Sequence, residues 1–177
     1  HPCQALGRVG IVFQQSALDL DLTLEQNMIY GAALRGWWGK DARQKITQVL
    51  ELMNIAEQRR AKVRELNGGH RRRLEIARAL VHQPAVLILD EPTVGLDIQT
   101  RNELVAHVHQ LTTSENITVL WASHLVDEIH ESDDLVILHK GRVRSAGPVS
   151  ELLQQHSWAT GLSPFEGPAC ADQKLVD

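Results

Sequence analysis

The sequence predicts an α/β fold built on a parallel sheet, and three observations carry that reading. "AVLILD", residues 85–90, is a continuous apolar run closed by an acid, the pattern of a central parallel strand buried on both faces. After it, helix and strand patterns alternate: a helix at about 99–113, strand "ITVLWAS" (117–123), a short helix near 125–131 and strand "DLVILHK" (134–140). Ahead of it, residues 24–66 are mainly helical and form a small subdomain.

The remaining elements follow from local signals. "RVGIVF" (8–13) is rich in β-branched and aromatic residues and reads as a strand ending at Gln14–Gln15. Thr23 with Gln26 three residues later is a capping box that opens a helix through about Leu34. "RGWWGK" breaks that helix, and Asp41 with Gln44 repeats the capping signal. Ile46, Val49, Leu50 and Met53 then share one face. In "LNGGHRRRLEIARAL" (66–80), Leu74, Ala77 and Val81 share a face opposite Arg71, Glu75, Arg78 and His82, and Pro84 stops the helix. "KGRVRSAG" (140–147) reads as a strand-turn extension at the sheet edge, and residues 157–177 as an irregular tail.

Bulk properties narrow the function. At 177 residues the chain fits one domain with a small subdomain. A net charge of −4 argues against a dedicated nucleic-acid binder, despite the cluster Arg71, Arg72 and Arg73. Cys3 and Cys170 lie near opposite ends without metal-ligand spacing, which fits a reducing compartment. The nine histidines fall into no Cys/His cluster or HExxH pattern. The longest apolar runs are too short to cross a bilayer. No signal-peptide pattern is present, and the first residue is His1 rather than Met, as in a fragment or processed chain.

Chemistry concentrates at strand ends, where open parallel sheets gather their ligand-binding groups. Asp90 and Glu91 close the central strand. Adjacent acids there suit a cation site beside a proton acceptor, Asp90 holding Mg²⁺ through water and Glu91 orienting or deprotonating the attacking water. The alternative is a strand-end turn punctuated by Pro92. His124, in "WASH" just past the next strand, is placed to hydrogen-bond a phosphate, or else to serve structure. Gln14 can offer an amide to the metal or the water. Gly68–Gly69 stand at a helix start, where unpaired N–H groups and the helix dipole favour an anion. A loop with an ordinary helix cap is the competing reading there.

The order and wording of these stretches resemble the nucleotide-binding domain of ABC (ATP-binding cassette) ATPases over roughly residues 8–150. Gln14 matches the Q-loop, "LNGGH" the signature usually written Leu-Ser-Gly-Gly-Gln, and "VLILDE" the Walker B strand with its glutamate. "GLD" matches the D-loop through Asp97, and His124 the switch histidine. "RRLEIARAL" and "DEPTVGLD" look most like the drug and polymer exporter branch. "LDLDLT" and "LNGGHRRRLEIARALVH" are also similar to subunits associated with pyrroloquinoline-quinone-dependent alcohol catabolism.

The resemblance implies a P-loop NTPase-like core over residues 1–156 and MgATP as the ligand. It implies head-to-tail pairing with a second nucleotide-binding domain, each signature capping the γ-phosphate of ATP held by the partner. Here that task falls to Asn67, Gly68, Gly69 and His70, with Asn67 and His70 departing from the usual Ser and Gln. It further implies docking on transmembrane permease subunits at the inner face of the cell membrane, through segment 24–66. The arginines would solvate the helix and pair locally. No GxxxxGK[ST] Walker A loop occurs in the 177 residues, so the chain alone is expected to be inactive. Two rivals remain: a soluble ABC-type ATPase acting on DNA or ribosomes, and a non-catalytic piece that only binds or assembles. The short interval from Gln14 to Asn67, without heptads, disfavours the first.

Overall fold

The computed structural model describes residues 7–156, with side chains through 153. Cys3, Cys170 and the expected tail 157–177 lie outside the described residues. The elements run β1 (Val9–Val12), α1 (Leu24–Leu34), α2 (Gly39–Leu52), α3 (Gly68–Leu80), β2 (Val86–Asp90), α4 (Ile98–Ser114), β3 (Thr118–Ala122), β4 (Asp134–His139), β5 (Arg142–Pro148) and α5 (Val149–His156). Contacts divide the described residues into two compact units, one running to Val126 and the other starting at Asp127.

In the first unit, β1, β2 and β3 form a parallel sheet with β2 in the centre. Leu87 and Leu89 are buried in one cluster with Leu74, Ile76 and Leu80 of α3. The opposite face departs from the expected two-sided burial. Ile11, Ile88 and Leu120 are cross-strand partners there, yet Ile88 is only half-buried and Leu120 is 60% exposed. Pleating explains the split, because successive side chains point to opposite faces and the core cluster gathers on one.

Segment 24–66 is helical and shares the core cluster with the sheet through Leu24, Met28, Ile46 and Leu50. The Thr23 capping box forms as read: Thr23 Oγ1 accepts from the Gln26 amide and Gln26 Oε1 from the Thr23 amide. Asp41 does not cap α2. That helix starts two residues earlier, with Trp38 as N-cap and Gly39 at φ +74°, so Asp41 sits in the first turn, where its charge still suits the dipole.

Helix α3 also differs from its expected two-faced pattern. Glu75 and His82 are buried along with Leu74, Ala77 and Val81. The reason is its position: α3 packs against α1, α2, α4 and β1, so little of its circumference reaches solvent.

In the second unit β4 does not extend the parallel sheet. It pairs antiparallel with β5 in a separate two-stranded sheet. Lys140 and Gly141 both have positive φ, the two-residue turn whose twist matches a hairpin. The expected helix near 125–131 is reduced to a single 3₁₀ turn, Val126–Glu128.

Candidate functional site

At the carboxyl end of the sheet, Gln14, Glu91 and His124 come together. Glu91 Oε2 accepts a hydrogen bond from Gln14 Nε2 at 3.0 Å, and Glu91 Oε1 lies 3.0 Å from His124 Nδ1. For that second contact to be a hydrogen bond, Nδ1 must carry the proton, which leaves Nε2 turned to other partners. The cluster is reachable from solvent: the His124 side chain is 64% exposed and that of Glu91 29%.

Glu91 reaches this position through an uncommon backbone. Its φ is +44°, in the left-handed region that side chains rarely enter. The Glu91 amide donates to the Ala122 carbonyl of β3 at 2.9 Å, so the strand pairing continues one residue past β2 while the side chain leaves the sheet. Backbone strain of this kind persists only where surrounding contacts over-determine it, and it gathers at functional sites. Asp90, the last residue of β2, is exposed beside it.

The α3 start is built differently. Asn67 is the N-cap, its Oδ1 accepting from the His70 amide at 2.8 Å. Gly69 is buried, and a Cβ there would stand 2.5 Å from Thr100 Cγ2 of α4. A Cβ on Gly68 would lie 3.2 Å from Leu96 Cδ2. The missing side chains therefore let the α3 start sit against the α4 start, a packing reason that spacing alone does not reveal. Gly68 and Asn67 remain exposed. Asp97 caps α4, accepting from the amide and hydroxyl of Thr100 at 2.9 and 2.6 Å. Those Thr100 hydrogen bonds, the hydroxyl's foremost, hold the Asp97 carboxyl below its ordinary range.

The triple arginine pairs locally, as expected, but Arg72 is buried rather than solvated. Arg71 donates to the carbonyls of Val63 and Arg64, and Arg73 pairs with Glu103. Arg72, only 8% exposed, donates to the carbonyls of Phe13, Asp90, Glu91 and Pro92 and to Glu75 Oε2. Sequence reading missed Arg72 and Glu75. The available signal was an opposite-charge pair at i, i+3 in line with Ile76 and Ala79, residues that share a buried stripe.

The ABC transporter family matches residues 2–94, more than half of the chain. This chain belongs to the ABC transporter family. Among its relatives, the linearmycin resistance ATP-binding protein of Bacillus subtilis (strain 168) is 34% identical over 150 residues, covering 84% of this chain and 48% of the relative. A methionine import ATP-binding protein of Streptomyces coelicolor is 34% identical over 176 residues, covering 98% of the chain and 50% of the relative. The structure of cbiO1 from Clostridium perfringens, described as part of the ABC transporter complex cbiONQ, superposes with a TM-score of 0.77. It is 27% identical, with 86% of this chain and 62% of that one covered. The chain thus spans about half the length of the curated relatives it matches. Its α/β core with a parallel sheet is that of the ABC ATPases.

Proposed function

We propose that this chain is the catalytic-edge part of an ATP-hydrolysing ABC transporter subunit, with Glu91 as the base that receives a proton from the attacking water. The carrying observation is a carboxylate on a left-handed backbone at a strand end, shared at 3.0 Å by an amide and an imidazole. Gln14 orients Glu91 and can turn its amide to the water, while His124 would turn its N–H from Glu91 to the γ-phosphate once nucleotide is bound. Asn67, Gly68, Gly69 and His70 at the α3 start, with Asp97 nearby in sequence, would face nucleotide held by a second nucleotide-binding domain.

The donor set fits one end of MgATP. Among the described residues no group of three or more His, Cys, Asp and Glu is arranged to hold a metal. Asp90 with the Gln14 amide would be the protein's share, and water and phosphate oxygens would complete Mg²⁺ coordination, as that ion ordinarily requires. The metal would supply charge neutralisation at the phosphates when bound. No residue of this chain supplies the glycine-rich cradle and lysine for the β- and γ-phosphates, so those must come from another polypeptide segment.

Docking on membrane-spanning permease subunits would use segment 24–66, where Tyr30, Leu34 and Trp38 expose apolar surface beside a groove lined by Ile29, Ala33 and Trp37. A peripheral place on the cytoplasmic side would go with that docking; among the described residues no helix is long and apolar enough to cross a membrane. For direction, "RRLEIARAL" and "DEPTVGLD" favour export, although a resistance protein and an import protein match at the same 34% identity.

Glu91→Gln tests the reading. In an assembly that supplies the phosphate cradle, it should lower turnover by about 10²–10⁴-fold while ATP binding persists. Near-normal turnover would remove Glu91 from the chemistry.

A further inference from the structure

Arg72 is a buried guanidinium, and four of its five hydrogen bonds run to backbone carbonyls at or beside the candidate base and Gln14. Its Nε donates to the Pro92 carbonyl at 2.6 Å. Nη1 donates to the Phe13 carbonyl at 2.8 Å and to Glu75 Oε2 at 2.5 Å. Nη2 donates to the Asp90 and Glu91 carbonyls at 3.1 and 3.2 Å. A guanidinium has five N–H donors in a rigid plane, and all five are used.

The pattern of acceptors is informative. Three of the four carbonyls belong to Glu91 and its two chain neighbours, and the fourth to Phe13, which precedes Gln14. One side chain thus ties down the backbones of both partners in the Gln14–Glu91 hydrogen bond. Glu91 needs such restraint, because its φ of +44° holds only where neighbouring contacts fix it. Glu75, 7% exposed, offers one oxygen to Arg72, while its other, Oε1, has no hydrogen-bond partner. A half-satisfied buried carboxylate is a poor stability device. It makes sense as the counter-charge that holds the Arg72 fork aimed.

We infer that Arg72 is a positioning residue that sets the Glu91 carboxylate against Gln14 and His124, and so carries turnover without touching nucleotide. The inference rests on the reading of Glu91 as the base. It also joins the α3 helix, whose first turn holds Gly68–Gly69, to the strand end: Arg72 stands one turn further along the same helix.

Two variants separate this role from a plain core ion pair. Arg72→Lys keeps the charge beside Glu75 but replaces the planar fork with a compact ammonium and three donors. The double variant Arg72→Met with Glu75→Leu removes both buried charges together, a change that folded proteins often tolerate. In the isolated 177-residue chain, ¹⁵N spectra should show the Gln14 side-chain amide and the Glu91 backbone amide displaced in both variants, with the backbone amides of Thr23 and Gln26 at the α1 capping box unmoved. In an assembly supplying the phosphate cradle, kcat should fall about 10²-fold, with KM for ATP within about twofold. Unmoved Gln14 and Glu91 resonances would overturn the inference. So would an unchanged kcat, a kcat restored by the double variant, or kcat and KM worsening together with the melting temperature. Failure of the parent reading is separable: normal turnover in Glu91→Gln would remove the base, whereas the spectra report on Arg72 without any nucleotide.

Discussion

Glu91 and Gly69 stand at two places where the chain would meet phosphate, and they are built on opposite principles. At the strand end, side chains make the arrangement: an amide and an imidazole converge at 3.0 Å on the carboxylate of a left-handed residue. At the α3 start, the absence of side chains matters, because Gly69 leaves room for Thr100 and brings two helix starts together. The first arrangement holds a residue in a strained backbone, which the proposed reading would use for chemistry, and the second is close packing of two helix starts. Substitutions should therefore separate them, with damage at the strand end appearing in turnover alone and damage at the α3 start appearing in stability as well as in the response to nucleotide.

The largest separation is expected at His124. His124→Ala should reduce hydrolysis by about 10²-fold. ATP affinity should fall modestly and ADP affinity should not change, since the imidazole would meet the γ-phosphate. Because the side chain is 64% exposed, the melting temperature should stay near that of the parent. Equal weakening of ATP and ADP binding, read by calorimetry, would make His124 structural and collapse the contrast.

Gly69→Ala is the counterpart. A Cβ 2.5 Å from Thr100 Cγ2 must push α3 and α4 apart, an overpacking cost of about 1–3 kcal/mol in denaturant unfolding. Adding Thr100→Ser removes the offending methyl and should recover most of that loss. Without recovery, the glycine is required for something other than this contact.

A smaller effect calibrates both. Thr23→Ala removes a formed capping box that belongs to neither place and should cost about 1 kcal/mol with no change in nucleotide response.

The smallest effect distinguishes buried histidines from the exposed His124. Burial, reinforced for His82 by Arg35, lowers the imidazole pKa of His82 and His107 below the ordinary 6.5. His107 Nε2 donates to the Leu52 carbonyl at 2.6 Å, and His82 Nδ1 has no partner to receive a second proton. The unfolded chain therefore binds more protons as pH drops. Stability should be full above about pH 6.5 and decline as pH falls from there through the lowered folded values. Thermal melts at pH 7.5 and 5.5 should show the drop, and His107→Gln should shrink it. Asp97, with its lowered carboxyl pKa, contributes in a separate and more acidic window.

How much of this was readable depended on whether the signal was local. The Thr23 box, the α2 face from Ile46 to Met53 and the strand-end positions of Gln14, Glu91 and His124 follow from short-range pattern and chain order. They appear in the structure where expected. What escaped reading depended on distant neighbours. Arg72 looks like a solvated arginine until β1 and β2 bring Phe13 and Asp90–Pro92 to it. Glu75 and His82 look polar-facing until four elements close around α3. The β4 strand reads as one more parallel strand, because only the positive φ values at Lys140 and Gly141 reveal the hairpin.

If this chain carries the catalytic edge of an ABC ATPase, as proposed, its activity depends on a phosphate cradle supplied by another segment. Calorimetric titration of the 177-residue chain with MgATP, paired with a phosphate-release assay, tests it most directly. The account predicts neither tight binding nor turnover by the chain alone. Turnover should appear when a polypeptide carrying GxxxxGK[ST] is added, and it should be lost again with Glu91→Gln. Low-micromolar binding with turnover by the chain alone would contradict the account.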